Sequence, residues 1–326
     1  MSKKRRKKYL PFKRTNKQKK TTVTYLLELG TLKGMQQAKE KTTDLLQYHW
    51  NNYSELALQR SQIQGELKQA LLKNCASNYV FKKWQRTTKW KYSFHPLSTV
   101  GSLSYVGGRF NTGSNVNSEV PSFPALYIAC DKDTCLQEAL GQVVGEDCPL
   151  TSRELSLTNP QSEATVSVSG ELEKVFDLRS SAHLEEFVEL IKDFKISKAL
   201  KDLAKSLNWP QPSVVQQPEK LLETLLIENW REAPSQYDIP ANSQIFGHLI
   251  FNAGIEGILY PSKLTGKDCL AIFPRNFAVT SSYIALDDEP PHPNIPQKID
   301  SENWRVCDLS SEEILSTAQQ KEDRAT

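Results

Sequence analysis

The sequence predicts an α/β (α+β) fold: a core of mixed strands with flanking helices, preceded by a helical N-terminal extension. Three observations predict it. Apolar residues recur at three- and four-residue steps between about Gln36 and Lys73, which is the period of a helix. From Tyr79 onward short aromatic and aliphatic runs alternate with Pro- and Gly-containing stretches, as strands and their connections do. Two further helical patterns, 182–207 and 218–232, stand between those strand-like runs.

Taken in order, residues 1–22 read as a disordered basic arm, because like charges repel and little apolar surface is available to bury. Residues 23–78 form the helical extension, with Leu46, Trp50, Tyr53, Ala57, Ile63, Leu67 and Leu71 as its stripe. Arg60 interrupts that stripe and Gly65 weakens the helix interior, so one broken helix and two helices both fit. Trp84, Trp90, Tyr92 and Phe94 alternate loosely with basic residues, as half-buried strands do. Pro124 to Cys130 reads as a buried strand. A helix from about Thr134 to Val143 follows, capped by Asp131 or Asp133, whose carboxylate can accept the orphan N–H groups of the first turn. Arg153–Leu157, Thr165–Val168 and Lys174–Leu178 read as strands. Pro210, Pro212 and Pro218 separate the two helical patterns within an insertion at about 182–253, and Ser243 is placed to cap a third helix that Gly254 ends. Ile255–Tyr260 and Cys269–Phe273 read as strands joined by a loop containing Ser262. Residues 79–285 thus form the main domain, and 286–326 a loosely ordered tail in which Trp304–Leu309 can add an edge.

Composition sets limits on function. The 326 residues are 38% hydrophobic and 24% charged, enough for one large domain or two modest ones. No uninterrupted apolar run reaches about 18 residues, which excludes a typical spanning helix, and no apolar segment follows the basic N-terminus as in a secretory signal. Six cysteines, at 75, 130, 135, 148, 269 and 307, form no CxxC pair and have no nearby His at metal-ligand spacing. They read as reduced thiols of a cytoplasmic protein with no metal site. Of the 41 Lys and Arg, eleven fall in residues 1–20 with no acid, so the remaining 30 face 38 acidic residues. The body is mildly acidic, and the arm, residues 3–20, can contact nucleic acid or an acidic partner through counterion release, or serve as a solubilising tail.

Three short motifs carry the chemistry: Gly107-Gly108-Arg109-Phe110-Asn111-Thr112-Gly113, then Ala125-Leu126-Tyr127-Ile128-Ala129 leading to Leu136-Gln137-Glu138-Ala139-Leu140, then Gly257-Ile258-Leu259-Tyr260-Pro261-Ser262. Gly107 and Gly108 let the backbone turn tightly or approach a ligand. Arg109 beside them can grip phosphate oxygens with its planar fork. Tyr127 can offer a ring face to a flat heterocycle. Glu138, near a helix start, can stabilise positive charge on a ribose carbon, as the carboxylates of glycosidases do. Ser262, with Lys263 and Lys267 on its loop, can hold a phosphate or a ribose hydroxyl. Each feature alone fits a turn or a solvated helix; the combination is more specific.

In this order and with these neighbours, the motifs resemble the RES-domain family over about residues 80–280. That family is named for its Arg, Glu and Ser. The resemblance implies a fold similar to ADP-ribosyltransferases, NAD as substrate, and a role as the toxin of a toxin–antitoxin pair with a helix-turn-helix antitoxin as partner. It implies Arg109, Glu138 and Ser262 as catalytic residues, and Gly108, Arg109, Tyr127, Ser262, Lys263 and Lys267 as the NAD-binding set. Three departures bear on the acceptor and on regulation: Thr112-Gly113-Ser114 replaces the prolines common after Arg-Phe-Asn, the basic residue beyond the serine matches imprecisely, and the chain is larger than a compact member. The expected activity is cleavage of the nicotinamide–ribose bond by water or phosphate, in an NAD glycohydrolase or phosphorylase. The alternatives are an ADP-ribosyltransferase acting on a macromolecule and an inactive nucleic-acid-binding or scaffold protein.

Overall fold

The computed structural model describes residues 32–117, 119–140, 163–310 and 312–316. The basic arm, Cys148 and the expected strand at Arg153–Leu157 lie outside the described residues. The chain divides into two compact units, Met1–Leu45 and Leu46–Thr326. Helix α1 spans Leu32–Gln62 and α2 spans Gln64–Lys73. The break falls at Ile63 (φ −118°, ψ 28°), two residues before Gly65, so two helices form. On α2, Leu67, Ala70 and Leu71 are buried. Among the described side chains of α1 the deeply buried one is Tyr48, two positions from Leu46 and Trp50 of the expected stripe, and it packs with Leu200 and Ala204. No described helix is long and apolar enough to cross a membrane.

The core is a seven-stranded sheet in the order β1-β4-β7-β6-β5-β8-β9. Its strands are β1 (Cys75–Lys89), β4 (Leu126–Ala129), β5 (Glu163–Asp177), β6 (Gly257–Pro261), β7 (Asp268–Ile272), β8 (Tyr283–Leu286) and β9 (Lys298–Ile299). β1 also pairs antiparallel with β5 along almost its whole length, which closes β1, β4, β7, β6 and β5 into a ring. A separate hairpin joins β2 (Gly107–Gly108) to β3 (Asn111–Thr112).

Strand periodicity sorts the side chains into two cores. Leu126, Ile128, Val175, Leu259, Leu270 and Ile272 pack into one cluster. Their neighbours Ala125, Ala129, Phe176, Ile258, Tyr260, Cys269 and Ala271 pack into the other, against the helices. Alternate residues of a strand point to opposite faces, so this two-sided burial follows from the continuous apolar runs. Tyr127 and Tyr260 therefore share the helix-side face, partly and fully buried respectively.

Thr165–Val168 and Lys174–Leu178, expected as two strands, are one 15-residue strand. The Ser169–Gly170 interval reads as a break because glycine is a poor strand former. Here Gly170 is required by close approach: a Cβ would meet the Tyr283 carbonyl oxygen at 2.4 Å and the Phe81 ring at 2.6 Å.

The helical region comprises α4 (Glu185–Ile191), α5 (Lys198–Ser206), α6 (Pro218–Leu225), α7 (Glu232–Gln236) and α8 (Asn242–Asn252). Ser197 caps α5 through its hydroxyl, and Pro218 opens α6 at the position where its missing N–H costs least. Ser243, expected as a cap, lies inside α8 and its buried hydroxyl has no partner among the described residues. The residue before that helix is Ala241, whose N–H donates to the Gln244 side chain at 3.0 Å. The segment beyond residue 286, expected as a loose tail, is built into the core as far as Asp308. β9 pairs with β8, Ile299 and Cys307 are buried, and Trp304–Asp308 is a 3-10 helix instead of an edge strand.

Two outcomes test this packing. Helix α8 crosses the Phe110 backbone at Gly247, where an added Cβ would meet the Phe110 carbonyl oxygen at 2.0 Å. Gly247→Ala is expected to lower unfolding free energy by roughly 1–3 kcal/mol in a urea titration, despite alanine's better helix propensity. His95 is fully buried, its Nδ1 donates to the Leu309 carbonyl, and burial pushes its pKa down to about 4. The neutral ring is thus favoured in the fold. Its contribution is complete above the unfolded value near 6.5 and is lost as pH falls toward 4, amounting to about 2 kcal/mol by pH 5. His95→Gln should flatten the acid side of the stability–pH curve by that amount.

Candidate active site

The β2–β3 hairpin presents Arg109 and Phe110 as its two-residue tip. Both glycines before them are sterically required. Gly107 has φ +90°, and a Cβ there would meet the Asn111 carbonyl oxygen at 2.4 Å. A Cβ on Gly108 would meet the Tyr127 hydroxyl at 2.5 Å. Close approach to the tyrosine, as well as turning, is what the second glycine provides.

Asn111 holds this hairpin. Its side chain is fully buried, with Nδ2 donating to the carbonyls of Ser102 (2.9 Å) and Phe123 (3.0 Å). Its Oδ1 accepts from the Gly108 N–H (3.0 Å) and the Tyr127 hydroxyl (2.9 Å). The same hydroxyl accepts from the Phe110 N–H at 2.9 Å. Burial holds the Tyr127 phenol well above its usual pKa, so it remains a donor. From α8, Gln244 donates to the carbonyls of Val106, Gly108 and Asn111 at 2.7–3.0 Å. Arg86, on β1, buries its guanidinium against the carbonyls of Pro96 (2.6 Å), Ser98 (2.7 Å) and Tyr127 (3.1 Å), and burial pushes its pKa down to about 10.

Helix α3 (Lys132–Leu140) starts at Asp131, which accepts the Thr134 N–H at 3.0 Å; of the two candidate caps, this is the one used. Two turns on, the Glu138 carboxylate accepts a 2.5 Å hydrogen bond from Ser262 Oγ. Ser262 is 2% exposed, and its oxygen also accepts from the N–H groups of Leu264 and Thr265, both at 3.2 Å. The serine's single proton is committed to Glu138. The contact holds the glutamate in a defined orientation.

These groups surround a cavity of about 600 Å³. Gly108, Arg109, Tyr127, Glu138 and Lys263 line it, as do Tyr260 from β6 and Cys269 from β7. Lys267 does not. It pairs with Asp131 at 3.2 Å, because the turn through Gly266 (φ +73°) directs it toward the start of α3. Arg109 Nη1 donates to the Ile227 carbonyl at 2.8 Å, and its guanidinium lies 6.0 Å from the Trp230 ring.

Sequence reading missed the supporting roles of Arg86, Asn111 and Gln244 and the presence of Trp230 and Arg231 in the cavity lining. Asn111 stands inside the Gly-Gly-Arg-Phe-Asn motif and could have been suspected, since a buried Asn beside a tight turn is suited to hold it. Nothing local marks Gln244 or Arg86. Among the described residues no group of three or more His, Cys, Asp or Glu is arranged to hold a metal ion, and the five described cysteines are free thiols.

Tyr127→Phe keeps the ring and removes the hydroxyl, leaving the buried Phe110 N–H without its acceptor. It should cost roughly 1–3 kcal/mol of stability, measured by denaturant titration, with the ring surface in the cavity retained.

No curated protein matches the chain significantly. Among solved structures it is similar to a chain of the M. tuberculosis MbcT–MbcA toxin–antitoxin complex, at 14% identity and a TM-score of 0.36, covering 74% of this chain and 94% of that one. That likeness is distant and no assignment rests on it. The RES domain family model matches residues 83–293, which include the Arg109 hairpin, Tyr127, Glu138, Ser262 and the whole helical region. The chain belongs to the RES-domain family.

Proposed function

We propose that the cleft binds NAD and cleaves its nicotinamide–ribose bond. The observation that carries this reading is the Glu138 carboxylate, fixed by Ser262 at 2.5 Å inside a dinucleotide-sized cavity that also presents Arg109. Cleavage passes through a ribose carbon with oxocarbenium character, and a fixed carboxylate favours that charge. The nicotinamide of NAD is cationic before the bond breaks and leaves neutral, so no strong general acid is needed. The two cavity tyrosines are weak acids: Tyr260 is buried and held well above its usual pKa, as Tyr127 is.

In this mechanism Arg109 binds the pyrophosphate through the part of its fork not used by Ile227. The ring of Tyr127 bounds the nicotinamide end, while its hydroxyl stays tied to Asn111. Glu138 orients the ribose and stabilises the transition state. Ser262 positions Glu138 and does not touch substrate. Lys263 screens the phosphates at the cavity edge. NAD loss in a cytoplasm would arrest growth, which fits the toxin role that family membership suggests, with a helix-turn-helix antitoxin as the expected neutraliser.

The test is NAD consumption by purified protein with product identification, with and without phosphate. Wild type should release nicotinamide. Glu138→Gln should lower turnover by roughly 100-fold or more. Ser262→Ala should lower it roughly 10- to 100-fold, the loss expected for one hydrogen bond to a charged group. Free ADP-ribose marks hydrolysis, ADP-ribose 1″-phosphate marks phosphorolysis, and label retained on a macromolecule in lysate marks transfer. Full NAD turnover by Glu138→Gln would remove Glu138 from the mechanism.

A further inference from the structure

The connection between α6 and α7 brings three residues to the cavity: Glu228, Trp230 and Arg231. Trp230 is 5% exposed and acts as the anchor. Its indole has a guanidinium from each side of the site nearby, Arg231 at 4.4 Å and Arg109 at 6.0 Å from the ring centroid. Neither arginine forms an ion pair among the described residues, Glu228 included, whereas Arg179 and Arg275 pair with Asp177, Asp268 and Asp308. The Arg109 guanidinium has only the neutral Ile227 carbonyl, and the Arg231 guanidinium has no hydrogen-bond partner among the described residues.

Two guanidiniums that face one cavity repel each other, and the cost rises as solvent is excluded. Burial and then Arg109 disfavour the charged form of Arg231, and Glu138 and Tyr127 offset this only in part. Such a pair is relieved by an anion carrying at least two negative oxygens on separate centres. A diphosphate meets that requirement; each phosphate can take one planar fork.

We infer that Arg231 is a second substrate-binding arginine, which with Arg109 holds the diphosphate of the dinucleotide. This rests on the NAD reading above and deepens it. The helical region is then part of the binding site, with Trp230 setting the distance between the two forks. The diphosphate takes the part of the Arg109 fork that the Ile227 carbonyl leaves free, and Arg231 takes the second phosphate.

The test uses the full chain and two probes, ADP-ribose with two phosphates and AMP with one. Binding is measured by calorimetry at low and moderate salt for wild type, Arg231→Gln, Arg231→Lys and Arg109→Ala, with folding checked by circular dichroism. Arg231→Gln should weaken ADP-ribose binding by at least about tenfold, equivalent to about 1.4 kcal/mol. AMP binding should fall by less. The salt dependence of ADP-ribose binding should become shallower, because one cation has left the site, and a purely structural role for Arg231 would not change that slope. Arg231→Lys should restore the salt slope but only part of the affinity. ADP-ribose binding and salt slope unchanged in Arg231→Gln, while Arg109→Ala is impaired, would overturn the role of Arg231 and leave the NAD reading standing. Wild-type protein that neither binds ADP-ribose nor consumes NAD would overturn both.

Discussion

The site depends on one constraint: a polar hairpin must be buried against an apolar sheet, and each polar group that this buries needs a partner. Asn111 meets most of that demand. Its amide takes two carbonyls, and its oxygen takes the Gly108 N–H and the Tyr127 hydroxyl. Tyr127 in turn satisfies the Phe110 N–H, and Gln244 satisfies three more carbonyls of the loop. Buried polar networks are stabilising when complete and costly when broken, so the hairpin has little freedom to move. Arg109 is therefore presented from a rigid base, although its own side chain remains half-exposed.

A second fixed point faces the first. Asp131 starts helix α3, and Ser262 takes hold of Glu138 two turns later. Ser262 is itself locked by the N–H groups of the loop after β6. The closed strand ring holds β4, β6 and β7 side by side, and so sets the distance between the hairpin, the helix and the serine loop. The glutamate and the arginine thus come from separate elements, each restrained by hydrogen bonds that do not involve substrate. A cleft arranged in this way needs little reorganisation for the ribose-bond cleavage proposed above.

The helical region changes what the cleft can hold. It contributes Gln244 beneath the hairpin and Trp230 and Arg231 beside it. Cavity lining and hairpin support therefore come from the same region of chain. Substitutions in α8 should reach the site through the Phe110 and Gln244 contacts, even though no α8 side chain is assigned to chemistry.

The sequence by itself determined the class of fold, the strands at 126–129, 257–261 and 268–272 and the helix carrying Glu138, and it singled out Arg109, Tyr127, Glu138 and Ser262 as candidates. These are legible because continuous apolar runs, an Asp cap and paired glycines act over a few residues. It did not determine which lysine reaches the cavity, since Lys263 and Lys267 differ only in where the turn through Gly266 sends them. It did not show that Ser262 serves Glu138, a pairing across 124 positions in the chain. Nor did it reveal the packed 298–308 segment or the arrival of Trp230 and Arg231. Trp230 fits a helical apolar stripe equally well, and only the tertiary structure decides that its neighbours face the cleft. Local patterns specify elements; which side chains meet is set by how the sheet closes and where the buried polar groups find partners.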